Sequence, residues 1–264
     1  MTESFTPRAM GWRQDLEDTE FLDKNSSRFK MLKMQEIPQQ VDPRGKIRVK
    51  DQGQVGACSG FSRSYCMEAL SNGIGQTGIE FSPMYSYLTG QKVDGLLGSD
   101  TGATISGGIK AAKQYGSCPD ELFPFPGRYV SEIPEACWEP AEKHQLLSYT
   151  PVNSAKECRQ AIGSGYAIYL GILWDQSMDT KKLESYNAGR GGGGHAICLL
   201  GYVGDYFLML NSWSEQWGDR GWAMWHERAV DSMIRHQFSE FFAVSEIENP
   251  EPRQWNYDTM PILG

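Results

Sequence analysis

The chain has 264 residues, of which 40% are hydrophobic and 22% charged, and a net charge of −8 at pH 7. This composition is typical of a globular protein that is long enough to bury a substantial core. The negative charge argues against nucleic acid or an anionic membrane as a partner, because both require a basic surface. No stretch approaches the roughly 20 apolar residues of a membrane span, and the first residues lack the pattern of a signal peptide.

Residues 1–36 are mostly polar, with scattered large apolar side chains. These apolar residues lack the sustained periodicity of a long amphipathic helix. We therefore predict an N-terminal arm over residues 1–36 that packs on the rest of the protein. Its apolar anchors are Trp12, Leu16, Phe21 and Leu22.

A loop that contains glycines leads into Cys58, and an amphipathic pattern begins directly after it. Apolar residues recur at helical spacing as far as Leu70, and Asn72-Gly73 supplies a stop, so we predict a helix over residues 58–73. A cysteine at a helix N-terminus is favoured as a thiolate by the macrodipole and the unpaired N–H groups. Gln52 precedes it by six residues and can turn its amide towards a developing oxyanion.

The first half of the chain reads as mainly helical and the second half as mainly strands. We predict a helix after the Ser82-Pro83 cap, and another over residues 104–114 that Gly107 and Gly108 weaken. We predict that the proline-rich residues 119–140 cross over from the helical half to the strand half. A short helix and four strand regions should follow it, at 155–162, 167–174, 195–211, 222–225 and 241–244.

The sequence context of one of the four histidines indicates a role for it. His195 follows a glycine run and opens an apolar segment, and a short turn leads to a second segment that ends at Asn211. The resulting hairpin should bring His195 and Asn211 together, so that the amide orients the ring of a catalytic base. The other histidines show no ligand spacing with cysteines or acids, so we predict no metal site. They are His144, His226 and His236.

Three motifs in this order resemble the papain-like cysteine peptidases. Residues 52–62 (Gln-Gly-Gln-Val-Gly-Ala-Cys-Ser-Gly-Phe-Ser) are similar to the active-cysteine motif of that family, and residues 211–222 to its asparagine motif. Residues 41–44 (Val-Asp-Pro-Arg) resemble the usual start of the mature enzyme, and the resemblance extends to about residue 245. It points to the prokaryotic or viral type of family C1, which lacks a long pro-segment.

The resemblance implies an α+β, two-lobed fold with the active site in the cleft between the lobes. We expect a peptidase domain over residues 37–264, with a helical lobe at about 45–120, a β-barrel-like lobe at about 140–248 and a tail at 249–264. It implies a catalytic set of Cys58, His195, Asn211 and Gln52.

The resemblance further implies that the substrate is a peptide or protein and that no cofactor is needed. Gly102 falls roughly where relatives bind the substrate backbone, and Gly194 would let that backbone approach closely. Trp213 shields the histidine–asparagine bond from water in this family. These three are the candidate substrate-binding residues.

Several positions depart from the family pattern without removing a catalytic group. They are Val55 (a disulfide-bonded cysteine in most secreted relatives), Ser59, Gly194 and Ser214. Because secreted relatives carry a much longer inhibitory pro-segment, we expect the short arm to be permanent and the full-length protein to be active.

A cytoplasmic or otherwise reducing compartment fits the six cysteines best. Cys58 and Cys66 lie eight residues apart on one predicted helix, or about 12 Å, which is too far for a disulfide. Cys198 should be a buried free thiol, whereas a pair among Cys118, Cys137 and Cys158 remains open.

Two other functions are compatible with these residues. The same site can transfer an acyl group to an amine instead of water, which would make the protein a ligase or transamidase. Alternatively, the chain could be a structural or binding component of a larger assembly that keeps the fold. The presence of all four catalytic residue types argues against the second alternative.

Overall fold

The computed structural model describes residues 9–14, 36–73, 78–187 and 192–245. In these ranges the helices are α1 (Cys58–Gly73), α2 (Pro83–Asp94), α3 (Ile105–Tyr115), α4 (Trp138–Glu142), α5 (Ala155–Gly163) and α6 (Glu227–Ile234). The strands are β1 (Trp12–Arg13), β2 (Ala103–Thr104), β3 (Ser148–Pro151), β4 (Ala167–Trp174), β5 (Lys182–Leu183), β6 (Gly193–Val203), β7 (Tyr206–Leu210), β8 (Trp222–His226) and β9 (Glu240–Ser245).

Side chains cap the helices where the sequence indicates. The Ser82 hydroxyl accepts a hydrogen bond from the backbone N–H of Tyr85, and Pro83 occupies the first turn of α2. Gly107 and Gly108 do not prevent α3, because they let it pack closely. A Cβ at Gly107 would lie 2.0 Å from the Asp94 carboxylate, and one at Gly108 would lie 2.6 Å from the Tyr169 hydroxyl.

The second half of the described chain forms a seven-stranded sheet in the order β3-β9-β4-β6-β7-β8-β5. All neighbours are antiparallel except β5 and β8. The sheet is open, so "barrel-like" describes it only loosely. The predicted α+β class, with a helical lobe against a β lobe, is confirmed.

Helix α1 lies between the two lobes and packs on strands β4 and β6. The Tyr169 hydroxyl on β4 donates a hydrogen bond to the Ser59 carbonyl at 3.1 Å. One hydrophobic cluster contains Phe61 from the helix and Leu200 from β6, and both side chains are buried. The start of α1 is therefore fixed against the strand that carries His195.

A buried ion pair lies inside the helical lobe. Lys50 and Glu68 are 6% and 1% exposed at their side chains and form a salt bridge. The Lys50 ammonium also donates to the Phe81 carbonyl at 2.8 Å, and Glu68 accepts the Phe81 N–H at 2.9 Å. These extra hydrogen bonds offset part of the cost of removing two charges from water.

The predicted helices at 58–73, after Pro83 and at 155–162 are confirmed, as is the strand at 167–174. The sequence did not predict α6, β3 or the short strands β1, β2 and β5. All six cysteines are free and buried, which answers the open question about Cys118, Cys137 and Cys158. The anchors Leu16, Phe21 and Leu22 and the tail at 249–264 lie outside the described residues. The lobe boundaries stay a prediction.

Candidate active site

The predicted hairpin brings His195 and Asn211 into contact. His195 lies near the start of β6, and Asn211 follows β7 directly. Nε2 of the histidine is 2.9 Å from Oδ1 of the asparagine. Nδ1 of His195 has no hydrogen-bond partner among the described protein atoms. The contact with Asn211 therefore leaves Nδ1 available for proton transfer.

Tryptophan rings enclose this pair. Trp213 stacks on the His195 ring with 4.7 Å between centroids and 25° between planes, and Trp174 packs edge-on at 5.2 Å. Burial lowers the pKa of His195 to about 4, although the hydrogen bond with Asn211 opposes this shift. Trp213 thus lies where it can shield the His195–Asn211 bond from water.

Cys58 is the first residue of α1, as predicted, and it is fully buried. Its Sγ accepts hydrogen bonds from the backbone N–H of Ala196 at 3.4 Å and from that of Gly11 at 3.3 Å. Burial raises the pKa of the Cys58 thiol, and these two N–H groups oppose the shift. The thiol lies beside the residue that follows His195, which puts the predicted nucleophile and base on facing elements.

The side-chain amide of Gln52 is held in a fixed orientation. Its Oε1 accepts a hydrogen bond from the Ser212 hydroxyl, and its backbone N–H donates to the Ser212 carbonyl at 2.9 Å. Its Nε2 donates to the carbonyls of Val55 and Ala9, each at 2.9 Å. Gln52 therefore presents an N–H donor at the site, and in this structure a backbone carbonyl accepts from it.

The Ala9 carbonyl that accepts from Gln52 belongs to residues 9–14, which we call the strap. The strap lies across Cys58 and forms a parallel strand pair in which Trp12 is opposite Ala103. Ala103 N–H donates to the Gly11 carbonyl at 2.9 Å. Trp12 packs on the protein, as expected for the arm, and the expectations that the arm is permanent and that the full-length protein is active stay predictions.

The predicted substrate-binding glycines both touch the strap. Gly102 has a φ of +83°, and a Cβ there would lie 2.0 Å from the Gly11 carbonyl oxygen. A Cβ at Gly194 would lie 2.3 Å from the Trp12 carbonyl oxygen. Both positions therefore allow a backbone, here that of the strap, to approach closely, and their role in binding substrate stays a prediction.

Sequence reasoning missed the pocket that holds Trp12. The indole lies on Gly171, where a Cβ would be 2.2 Å from the ring, and its Nε1 donates to Oε2 of Glu240 at 3.0 Å. Trp12 is 7% exposed and Glu240 is 3% exposed. The sequence did carry one signal for this pocket, which is the acidic residue Glu240 at the start of an apolar strand. A carboxylate buried there without a partner would cost free energy, so its presence indicates a partner.

The described residues contain no group of three or more histidine, cysteine or acidic side chains arranged to hold a metal. None of the helices in the described part of the chain combines the length and the apolar character that a membrane crossing requires.

The fold and this arrangement define a two-lobed thiol hydrolase architecture. The model of the papain family of cysteine proteases matches residues 37–240, and the chain belongs to that family.

Curated relatives are similar over most of this chain. An uncharacterised peptidase C1-like protein of Acanthamoeba polyphaga mimivirus is 24% identical, over 80% of this chain and 76% of the relative. Procathepsin L of Mus musculus is 25% identical, over 75% of this chain and 63% of its own length. The chain therefore spans less than two thirds of that longer relative.

Solved structures share the fold. Xylellain, a cysteine protease from Xylella fastidiosa, superposes with a TM-score of 0.75 at 20% identity, covering 92% of this chain and 99% of xylellain. The bromelain protease from Ananas comosus, in complex with the E64 inhibitor, gives a TM-score of 0.64 at 19% identity, covering 79% of this chain and 99% of bromelain.

Proposed function

We propose that the protein is a cysteine endopeptidase that hydrolyses peptide bonds of peptide or protein substrates through a thioester on Cys58. The observation that carries the proposal is the 2.9 Å contact between His195 and Asn211, made beside a cysteine at a helix start. Ala196, next to the histidine, donates to the Cys58 sulfur. This arrangement provides a nucleophile, a base and an orienting amide.

The first half of the reaction forms the thioester. Nδ1 of His195 accepts the Cys58 proton, and the thiolate attacks the scissile carbonyl carbon. Gln52 Nε2 donates to the oxyanion that develops on the carbonyl oxygen. His195 then gives its proton to the leaving amine as the C–N bond breaks, and the acyl group remains on sulfur.

The second half of the reaction releases the acyl group from Cys58 as a carboxylic acid. His195 removes a proton from water, the resulting hydroxide equivalent attacks the thioester carbonyl, and the C–S bond breaks to regenerate Cys58. Asn211 keeps the ring in place through both steps. Trp213 and Trp174 keep solvent from competing for the His195–Asn211 hydrogen bond.

Acyl transfer to an amine remains the alternative from the same chemistry, because an amine can replace water in the second step. A purely structural role is less well supported, since Ser212 orients Gln52 and Asn211 orients His195. Catalysis requires that both side chains have a fixed orientation, whereas a binding surface would gain little from it.

A peptide-library digestion tests the proposal, with products identified by mass spectrometry. We expect internal cleavage by the full chain that Cys58→Ala abolishes and that the matched control Cys158→Ala retains, because Cys158 lies in the separate core of the β lobe. The same digestion is run with glycinamide added. Glycinamide adducts as the main product would indicate acyl transfer, and activity that survives Cys58→Ala would reject the proposal.

A further inference from the structure

Asp100 lies between two segments that the proposed reaction uses. Its two carboxylate oxygens accept the backbone N–H of Gly56, each at 3.0 Å from the nitrogen, and Gly56 is two residues before Cys58. In the sequence, Asp100 is also two residues before Gly102, the candidate residue for binding the substrate backbone. The carboxylate therefore contacts the loop that leads into the nucleophile and belongs to the segment that would hold the substrate.

The Tyr87 hydroxyl extends this contact to Gly102. It donates to Oδ1 of Asp100 at 2.8 Å and accepts the N–H of Gly102 at 2.9 Å. Tyr87 is buried, and both this burial and the Asp100 carboxylate raise the pKa of its hydroxyl, so the hydroxyl keeps its proton. A chain of hydrogen bonds thus runs from Gly56 through Asp100 and Tyr87 to Gly102.

The buried side chain of Gln91 fixes the direction of this chain. Its Nε2 lies 3.0 Å from the Tyr87 hydroxyl oxygen and 3.1 Å from the Gly102 carbonyl oxygen, and its Oε1 accepts from the Tyr129 hydroxyl at 3.0 Å. A tyrosine hydroxyl has one proton to donate and can accept from two donors. Because Gln91 and Gly102 both donate to the Tyr87 oxygen, its own proton is directed to Asp100.

The segment that this chain holds accepts an extended backbone in the structure. The N–H of Ala103 donates to the Gly11 carbonyl at 2.9 Å, and a Cβ at Gly102 would lie 2.0 Å from the same carbonyl oxygen. Such a close approach leaves little tolerance for movement of residues 102–103. The position of Gly102 therefore determines how well a peptide backbone fits there.

Hydrogen bonds, rather than a disulfide, hold the loop before Cys58. Val55 stands where most secreted relatives carry a disulfide-bonded cysteine, and all six cysteines of this chain are free. A carboxylate that accepts a backbone N–H forms a stronger hydrogen bond than a neutral acceptor does. Asp100 supplies such a bond at the next residue, Gly56.

We propose that Asp100 is a positioning residue for peptide cleavage, which links the loop of Gln52 and Cys58 to Gly102 through the Tyr87 hydroxyl. This inference rests on the proposed function. The link sets the position of the oxyanion donors relative to the segment that binds the substrate backbone. Loss of Asp100 therefore impairs both turnover and binding, whereas loss of the Tyr87 hydroxyl impairs binding alone.

Steady-state kinetics of peptide cleavage by the full chain separate these two effects. Asp100→Ala should lower kcat by about fivefold and raise KM by about fivefold, a moderate change because the carboxylate is exposed to water. Tyr87→Phe should raise KM by about fivefold and leave kcat within about twofold of the wild type, since the contact between Asp100 and Gly56 remains. Asp100→Glu keeps the carboxylate and should recover part of the loss in kcat.

Two surface substitutions are the matched controls. Asp205 is exposed at the turn between β6 and β7, so Asp205→Ala removes a carboxylate away from the site. The Tyr206 hydroxyl donates to Glu184 at 2.7 Å, so Tyr206→Phe removes a hydrogen-bonded hydroxyl elsewhere. Both variants should keep the kinetic constants of the wild type.

Amide hydrogen exchange, measured at single residues by NMR, tests the link without any cleavage. Asp100→Ala should speed exchange at Gly56 and Gly102 by about fivefold or more, and Tyr87→Phe should do so at Gly102 only. The amides of β7 are the internal reference, because a general loss of stability would speed their exchange as well.

Three results would overturn the proposal. The first is a pair of kinetic constants for Asp100→Ala within about twofold of the wild type. The second is an equal loss of kcat in Tyr87→Phe and Asp100→Ala, and the third is exchange that is unchanged at Gly56 or faster throughout β7. If the wild type cleaves no peptide, the endopeptidase proposal fails, and the exchange pattern alone decides whether Asp100 links the two segments.

Discussion

Nε2 of His195 lies 2.9 Å from Oδ1 of Asn211, and Nδ1 is the ring nitrogen without a hydrogen-bond partner among the described residues. The ring is also stacked on Trp213, so two different contacts determine its orientation. A change in either contact should alter the turnover step more than substrate binding.

Asn211→Ala should lower kcat by about 100-fold with little change in KM, within the range that general acid–base catalysis contributes. The ring of His195 would lose its fixed orientation while the cleft stays intact. Steady-state kinetics on the full chain provide the measurement, and the exposed Asn153→Ala is the control. A kcat within threefold of the parent would show that Trp213 alone positions the ring.

Gln52→Ala should lower kcat by about 100- to 1000-fold, because it removes one donor to the oxyanion. Ser212→Ala should cause a smaller loss, of about tenfold at most, since it removes only the neutral hydrogen bond that orients the amide. Equal losses in the two variants would contradict the assignment of Gln52 as the donor. Gln176→Ala, at an exposed site, serves as the control.

The pKa of His195, lowered by burial to about 4, predicts a pH-dependent stability. Between about pH 6.5 and 4 the unfolded chain binds this proton and the folded chain does not, so stability should fall as the pH falls through this window. The full effect is about 3 kcal/mol. Denaturant unfolding at pH 7 and pH 4 should show a smaller pH effect in His195→Gln than in the wild type. The half-buried His236→Gln is the control, and a wild-type pH effect that persists in His195→Gln would contradict this account.

Lys50→Met should destabilise the protein by about 3–5 kcal/mol, because it leaves the Glu68 carboxylate buried without its ion-pair partner. The double variant Lys50→Met with Glu68→Leu should recover much of that loss. Thermal unfolding checks both, with the exposed Lys182→Met as the reference. A double variant no more stable than Lys50→Met would indicate that packing, rather than charge, sets the cost.

Thiol titration of the unfolded, unreduced protein should find all six cysteines free, in agreement with the structure. Fewer than six would place a disulfide where the fold has none. It would also weaken the proposal of a reducing compartment.

Local signals in the sequence accounted for much of the site. Helix α1 has both a stop at Gly73 and helical spacing of its apolar residues, and the hairpin that joins His195 to Asn211 is a short-range structure. The motif around Gln52 placed its side-chain amide on the loop before Cys58, and its role as oxyanion donor stays a prediction.

The elements that were missed depend on contacts between distant parts of the chain. Helix α6 begins after His226, whose ring caps it in place of the usual serine, threonine or aspartate, so the customary start signal is absent. The site of Trp12 depends on Glu240, 228 residues away. No spacing rule connects two such positions, and only the register of the sheet brings the carboxylate beneath the strap.

The same register links the Trp12 pocket to the nucleophile. Glu240, Gly171 and Ala196 are directly opposite one another on β9, β4 and β6, and Ala196 is the residue that donates to Cys58 Sγ. Because neighbouring strands lie about 4.8 Å apart, this row sets a distance of about 10 Å between the backbone of Glu240 and that of Ala196 beside Cys58. A side chain at position 171 would fill the Trp12 pocket, because a Cβ there lies 2.2 Å from the indole ring. Strands β6 and β7 would still carry His195 and lead to Asn211, so binding in this pocket could change while the His195–Asn211 contact stays.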